Sequence, residues 1–257
     1  MIDLYHNDMS VCAQKVRLVL AYKQLTYKSV HLNLRAGEQF KPEFLKLNPK
    51  AVIPVLVHDD NIITESNVIC YYLDEVFSTL PLMPEDTVKR AELRVWLTQL
   101  DAGLHEQIAV ISFCLAFRQQ ILKRYTTDDA LESFLTNIPD SARATLMRDM
   151  VTNGMSSPRL NLAIYAYKKL VKDLARALEN NHWILSSGIS LVDFSFLPYI
   201  ERLDQLQLKG MWADYPQIDE WLSRVRTTQA YKVAMLEWHN PEYIQLMASA
   251  EKLSVPD

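Results

Sequence analysis

Three short stretches of this chain hold residues whose types and spacing could do chemistry together. Ser10 and Cys12 stand at the start of a patterned segment, Ile53 precedes Pro54, and Glu65 precedes Ser66. Glu65-Ser66 opens a helical pattern (Val68, Ile69, Tyr72, Leu73, Val76), so it offers unpaired backbone N–H groups and a hydroxyl that suit a carboxylate. The Glu65 carboxylate beside them suits an ammonium, and an α-amino acid end carries both groups. Ile53-Pro54 is a good place for a cis peptide, which costs only about 0.5–1 kcal/mol over trans before proline. Such a bond would turn the Ile53 backbone outward, free to pair with an extended peptide. An ordinary hairpin and helix, with Ser66 as a plain cap, accounts for the same residues.

The elements that must position these groups follow from the local pattern. Residues 1–5 alternate Ile2 and Leu4 around Asp3, a short strand, and residues 27–32 read as a second. Between them, residues 11–23 predict a helix with Cys12, Val16, Val19 and Leu20 on one side, Lys15, Arg17 and Lys23 elsewhere, and Ser10 at the N-cap. A strand–helix–strand unit of this length makes the two strands parallel. A polar loop from Arg35 and a short helix over 42–47 follow. The β-branched run 52–57 reads as a strand with Pro54 at its start or edge, because proline cannot donate to a ladder. A polar turn at 58–61, a short strand over 62–64 and the helix from Glu65 complete a small α/β sheet by residue 77.

Residues 78–86 hold Pro81 and Pro84 and read as a linker. Beyond Thr87 no strand pattern occurs. One long helical pattern covers 89–117, with a break expected near Gly103. Further starts fall at 126–129, at Ser157-Pro158 and at Ser190, where Asp193 completes a capping box. Ser190 and Asp193 are thus read as a folding cap. Trp183, Phe194, Phe196, Trp212 and Trp221 are assigned mainly to the core, with Cys70 and Cys114.

Composition excludes several classes. The chain has 257 residues, 49% of them hydrophobic, enough for two domains with a sizeable core. A net charge of −4, from 27 basic and 31 acidic residues, gives no basic excess for nucleic acid. No apolar run of membrane-spanning length and no signal-peptide pattern are read. Three cysteines without a CxxC pair argue against a disulfide framework or zinc site and fit a reducing cytoplasm. Five unclustered glycines leave no phosphate loop or dinucleotide fingerprint.

The ordered combination resembles the glutathione transferase superfamily over essentially the whole chain. Its carriers are SVCAQKVRLVL at 10–20, KPEFLKLNP at 41–49, VIPVL at 52–56, TES at 64–66 and SLVDF at 190–194. The resemblance implies an α/β plus all-α fold: a thioredoxin-like N-terminal domain over 1–77, the linker 78–86, and an all-helical C-terminal domain over 87–257 carrying the acceptor pocket. Ser10-Val11-Cys12 is similar to the zeta class; KPEF and YLDEVF (72–77) are similar to the omega class. The run 64–77 followed by KRAELRVW at 89–96 looks most like bacterial glutathione-dependent β-etherases and their relatives, which also carry an insertion like 138–155. Omega-type members place a cysteine where Ser10 stands, so thiol transfer through a mixed disulfide is disfavoured.

What the resemblance implies for chemistry is specific. Glutathione is the co-substrate, with no metal. Ser10 would donate to its thiolate, Ile53 beside Pro54 would pair with its cysteinyl backbone, Glu65 and Ser66 would hold its γ-glutamyl end, and Lys41 would meet its glycine carboxylate. Cys12 is a packed helix residue or a second thiol. Arg94, Trp96, His105 and Phe113 are candidates on the acceptor side, His105 reading equally as a structural histidine. The implied functions are transfer to a small hydrophobic electrophile, β-aryl ether cleavage, a zeta-like isomerisation, or a non-catalytic binding or stress-response role on the same fold. A cytoplasmic homodimer is expected, with no nucleic acid or membrane partner.

Overall fold

Strand β1 (Ile2–His6) lies at the centre of the first half because its alternate residues, Ile2, Leu4 and His6, all face inward. In the computed structural model, which describes residues 1–250, it pairs in parallel with β2 (Lys28–His31) and antiparallel with β3 (Val55–His58). Strand β4 (Asn61–Ile63) closes a hairpin with β3, giving the order β2-β1-β3-β4. Regular pairing begins at Val55, three residues later than the β-branched run suggests. Pro54 has no N–H to offer the ladder, and the Asn48 side chain holds the Val52 carbonyl at 2.8 Å in a loop.

Helix α1 (Val11–Tyr22) connects β1 to β2 and is buried almost all round. It packs against α3 (Ser66–Val76) and against two helices of the second half, α10 (Leu191–Gln205) and α12 (Gln229–Ala234). Lys15, Arg17 and Lys23, expected away from the apolar side, are therefore buried and individually satisfied. Arg17 donates to the carbonyls of Asn7, Asp8 and Ala234 and contacts His6 Nδ1 at 3.1 Å. Lys23 forms a buried 2.7 Å ion pair with Asp74, whose carboxylate also accepts from the Leu82 and Met83 amides. Burial and then the Arg17 charge push His6 down to about 3, so it is neutral. A short α2 (Pro42–Leu45) begins at a proline, which suits the first helical turn.

Residues 77–86 contain no regular element. Helix α4 (Thr87–Gln99) then runs through a π turn (Leu100–Leu104) into α5 (His105–Ser112), and through a second π turn (Phe113–Phe117) into α6 (Arg118–Arg124). The break expected near Gly103 is there, at φ 138°, a conformation that glycine tolerates. The stretch Thr87–Arg124 does contain a window apolar and long enough to cross a membrane, contrary to the reading of the sequence. More than half of that window, 56%, is buried within the fold, as the central helix of a bundle requires.

Helices α7 (Asp128–Thr136) and α8 (Ser141–Asn153) flank the break at 137–140, and α9 (Pro158–Leu178) starts at Ser157-Pro158. Helix α11 (Pro216–Arg226) precedes α12, and α13 (Pro241–Ala248) ends the described elements. Ser190 and Asp193 form the capping box of α10, and Asp193 also accepts from the Ile184 amide and Trp221 Nε1. The end of the all-helical region assigned to 251–257 lies outside the described residues.

Candidate active site

Ser10 occupies the N-cap of α1 because β1 ends at His6 and the loop 7–10 turns the chain back. Its Oγ accepts from the Ala13 amide at 3.3 Å, which leaves its own proton free to donate. The residue is half-buried and lines a cavity of about 250 Å³ between the two halves of the chain. Ala51, Val52 and Ile53 form the same wall, and the Ile53–Pro54 peptide is cis. Apolar side chains of the helical half face them, among them Ile108, Phe113, Phe117, Ile121 and Phe134. A thiolate held at Ser10 would meet the positive end of the α1 dipole on one side and an apolar chamber on the other.

Glu65 has φ 65° and ψ 113°, outside the regions that residues with a Cβ favour, and strain of this kind costs on the order of 1–3 kcal/mol. It caps nothing with its side chain; its carboxylate is exposed and paired with Lys50 Nζ at 2.7 Å. A cation already occupies the carboxylate expected to bind an ammonium. Ser66, the first residue of α3, is buried. Lys41 pairs with Glu38 at 3.1 Å, is exposed, and lines a separate surface depression with Phe40, Tyr125 and Phe134. The structure thus brings Ser10 and Ile53 onto one cavity wall, sets Glu65 and Ser66 at the α3 entry, and leaves Lys41 outside the lining. Gln39, two residues earlier, is in the lining, and its buried Oε1 has no partner.

Cys12 is half-buried, with Sγ 3.4 Å from His105 Nδ1 and 3.7 Å from the Tyr199 hydroxyl. Burial alone would push this thiol up, but the His105 charge and hydrogen bond, with Lys15 and the Ser66 hydroxyl, bring it down to about 6. His105 is correspondingly raised, first by the Cys12 charge. Each group thus favours the charged form of the other. Cys70 and Cys114 are buried and pushed up to about 12 and about 11 by desolvation, which makes them inert. Of the acceptor-side candidates, His105 and Phe113 line the cavity; Arg94 is exposed, and Trp96 packs edge-on against Phe196 in the core.

Sequence reasoning missed three arginines of the lining: Arg35, Arg143 and Arg202. Arg35 was assigned to a polar loop. Arg202 had a legible signal, since it falls three residues after Tyr199 on the buried stripe of α10. Arg143 lies on α8 and donates to the Lys50 carbonyl at 2.8 Å, so this helix reaches the sheet half beside Glu65.

The fold and this cavity define a class: a thioredoxin-like sheet domain that presents a helix N-terminus to an all-helical half. The family model for the glutathione S-transferase N-terminal domain matches residues 1–75, and that for the C-terminal domain matches residues 165–228. A probable maleylacetoacetate isomerase of Vibrio cholerae is 38% identical over 238 residues, covering 91% of this chain and 95% of that protein. Protein LigF of Sphingobium sp. is 28% identical over 240 residues, covering 90% and 91%. The crystal structure of β-etherase LigF from Sphingobium sp. matches with a TM-score of 0.83 at 26% identity, over 92% of this chain and 99% of that one. The chain belongs to the glutathione S-transferase family of enzymes.

Proposed function

We propose that this chain binds glutathione along the wall formed by Ile53 and Ser10, and transfers its sulfur to an electrophile held against the helical half. The observation that carries this reading is the placing of Ser10 and Ile53 in the lining of one cavity, together with apolar side chains of the helical half. A free thiol titrates near ~8.5, and the thiolate is the nucleophile. A hydrogen bond to a charged acceptor contributes about 1.5–3 kcal/mol and one pKa unit corresponds to about 1.36 kcal/mol. The Ser10 proton therefore lowers the bound thiol by about one to two units, aided by the dipole of α1. Glu65 would take the γ-glutamyl ammonium in exchange for Lys50, and the α3 entry at Ser66 its carboxylate. Lys41 becomes a glycine-carboxylate ligand only if it leaves Glu38; Gln39 is the nearer polar group on the wall.

Calorimetric titration with glutathione tests this reading. Binding is expected, weakened at least tenfold by Glu65→Ala, since a charged hydrogen-bonded partner is lost. Unchanged affinity in Glu65→Ala contradicts the assigned site, and no binding to the unaltered protein contradicts the reading and favours a non-catalytic role on the same fold. A second reading is favoured by the overall likeness to β-etherase LigF: the electrophile is a β-aryl ether. The sulfur would form a bond to the β-carbon as the carbon–oxygen bond breaks and a phenolate leaves. Incubation with an aryl-ether dimer and glutathione should then give a glutathione adduct and free phenol; absence of both rejects it. The maleylacetoacetate isomerase relative supports an isomerisation through a transient glutathione adduct as the remaining sub-class. We also propose a cytoplasmic homodimer.

A further inference from the structure

Two of the three guanidinium groups in the cavity lining, those of Arg35 and Arg202, lie against the same aromatic ring, Phe117, and no carboxylate is in that lining. Arg35 Cζ lies 4.8 Å from the Phe113 ring centre and 5.2 Å from that of Phe117. Arg202 Cζ lies 4.9 Å from the same Phe117 ring. Arg35 donates to the neutral Gln120 Oε1 at 2.9 Å, and Arg202 to Ser112 Oγ at 3.2 Å and to the Met9 carbonyl. Among the described residues neither forms an ion pair. Asp8, the acidic group that Arg35 feels through space, is turned to His31 at 3.5 Å and to Asn240 at 2.9 Å.

Arginine cannot shed its charge in a protein, so a buried, uncompensated Arg202 beside a half-buried Arg35 is costly. Contact with aromatic faces offsets part of that cost. The two also feel each other: burial first, then the Arg35 charge, brings Arg202 down to about 10. A fold with no use for an anion here would do better with apolar side chains on these positions. The planar forks of arginine match a carboxylate in two parallel hydrogen bonds. The surrounding rings would take an apolar body.

We propose that the electrophile carries a carboxylate, seated against Arg35 and Arg202, on an aryl or similarly large apolar body packed against Phe113 and Phe117. This rests on the transfer reading above. Arg202 belongs to α10 and Phe113 and Phe117 to the π turn before α6, so three of these four groups come from the acceptor side.

A matched pair of electrophiles tests it: 4-(bromomethyl)benzoate and its methyl ester. In both, the glutathione sulfur forms a carbon–sulfur bond, the carbon–bromine bond breaks, bromide leaves with the electron pair, and the thiol proton passes to solvent. The acid is expected to exceed the ester in kcat/KM by about tenfold or more, as a charged hydrogen bond is gained. Arg35→Gln should abolish that preference through the KM for the acid, leave the KM for glutathione unchanged, and recover in part as Arg35→Lys. Arg202→Gln should do the same if it folds; Arg35, at the cavity edge, decides the matter if it does not. Equal turnover of acid and ester, or a KM for glutathione that rises with Arg35→Gln, overturns the proposal while leaving the transfer reading intact. Should neither compound react, the transfer reading fails, and calorimetry with 4-methylbenzoate decides the anion site alone. Binding that is lost in Arg35→Gln sustains it, and no binding to the unaltered protein overturns it.

Discussion

Cys12 and His105 are 93 residues apart in sequence and 3.4 Å apart in space, and their chemistry belongs to that contact. The thiolate is the reactive form, so alkylation of Cys12 by iodoacetamide should rise with pH through a midpoint near 6, about where the thiol titrates. Below that pH the thiol is protonated and the rate falls; above it the rate is flat. In His105→Ala the main stabilising charge is gone and burial remains, so the midpoint moves up. Mass-spectrometric rates at Cys12 over pH 4–10 check this, and a midpoint near ~8.5 in the unaltered protein contradicts it. Nothing in the local sequence marks this pair, because a thiol two residues into a helix looks the same whether its partner is leucine or imidazole. Ser10, by contrast, was legible: a serine before an apolar helical run is a cap wherever it occurs. The same holds for Glu65-Ser66 at the α3 entry, although the Lys50 pairing was not legible. That contact depends on how the loop before β3 turns, and the turn is set by tertiary contacts.

Helix α10 shows how one element fixes several parts of the site. Its capping box was readable from Ser190 and Asp193, but the full load on Asp193 was not. The buried carboxylate accepts from the Ile184 and Ser190 amides, the Ser190 hydroxyl and Trp221 Nε1. Asp193→Ala would leave three buried N–H groups without an acceptor, each worth about 1–3 kcal/mol, and should destabilise the fold by on the order of 3 kcal/mol or more. Chemical denaturation measures this; a loss under about 1 kcal/mol, within the range of ordinary caps, would mean that the network is dispensable. Helix α1 carries the complementary lesson. Its apolar side was evident, yet its basic residues are buried among partners: Lys15 donates to Asn67 and Lys23 pairs with Asp74, both on α3, and Arg17 reaches the Ala234 carbonyl of α12. A period-3.6 pattern records how many faces are apolar, not how many are covered by partners that satisfy charge.

At the scale of the molecule, the α/β-then-helical order was legible from the loss of strand patterns after residue 77, since periodicity is a local property. The cavity between the halves was not, because its arginines and aromatic rings come from segments that each look ordinary alone. Val88 and Val95, one heptad apart on α4, are 72% and 67% exposed, and Val68 on α3 is 51% exposed. Such exposed apolar residues fit a face covered by a second copy. Light scattering after size exclusion should give twice the chain mass of 29.7 kDa, shifting toward the single chain in the Val88→Glu, Val95→Glu double variant. A single-chain mass for the unaltered protein at micromolar concentration would contradict the proposed dimer.

The most direct test of the account is the titration of bound glutathione by thiolate absorbance near 240 nm, in the unaltered protein and in Ser10→Ala. A thiol pKa about one to two units below the free value is expected, returning toward ~8.5 when the hydroxyl is removed. An unshifted thiol in the unaltered protein, or a depression that survives Ser10→Ala in full, would contradict it.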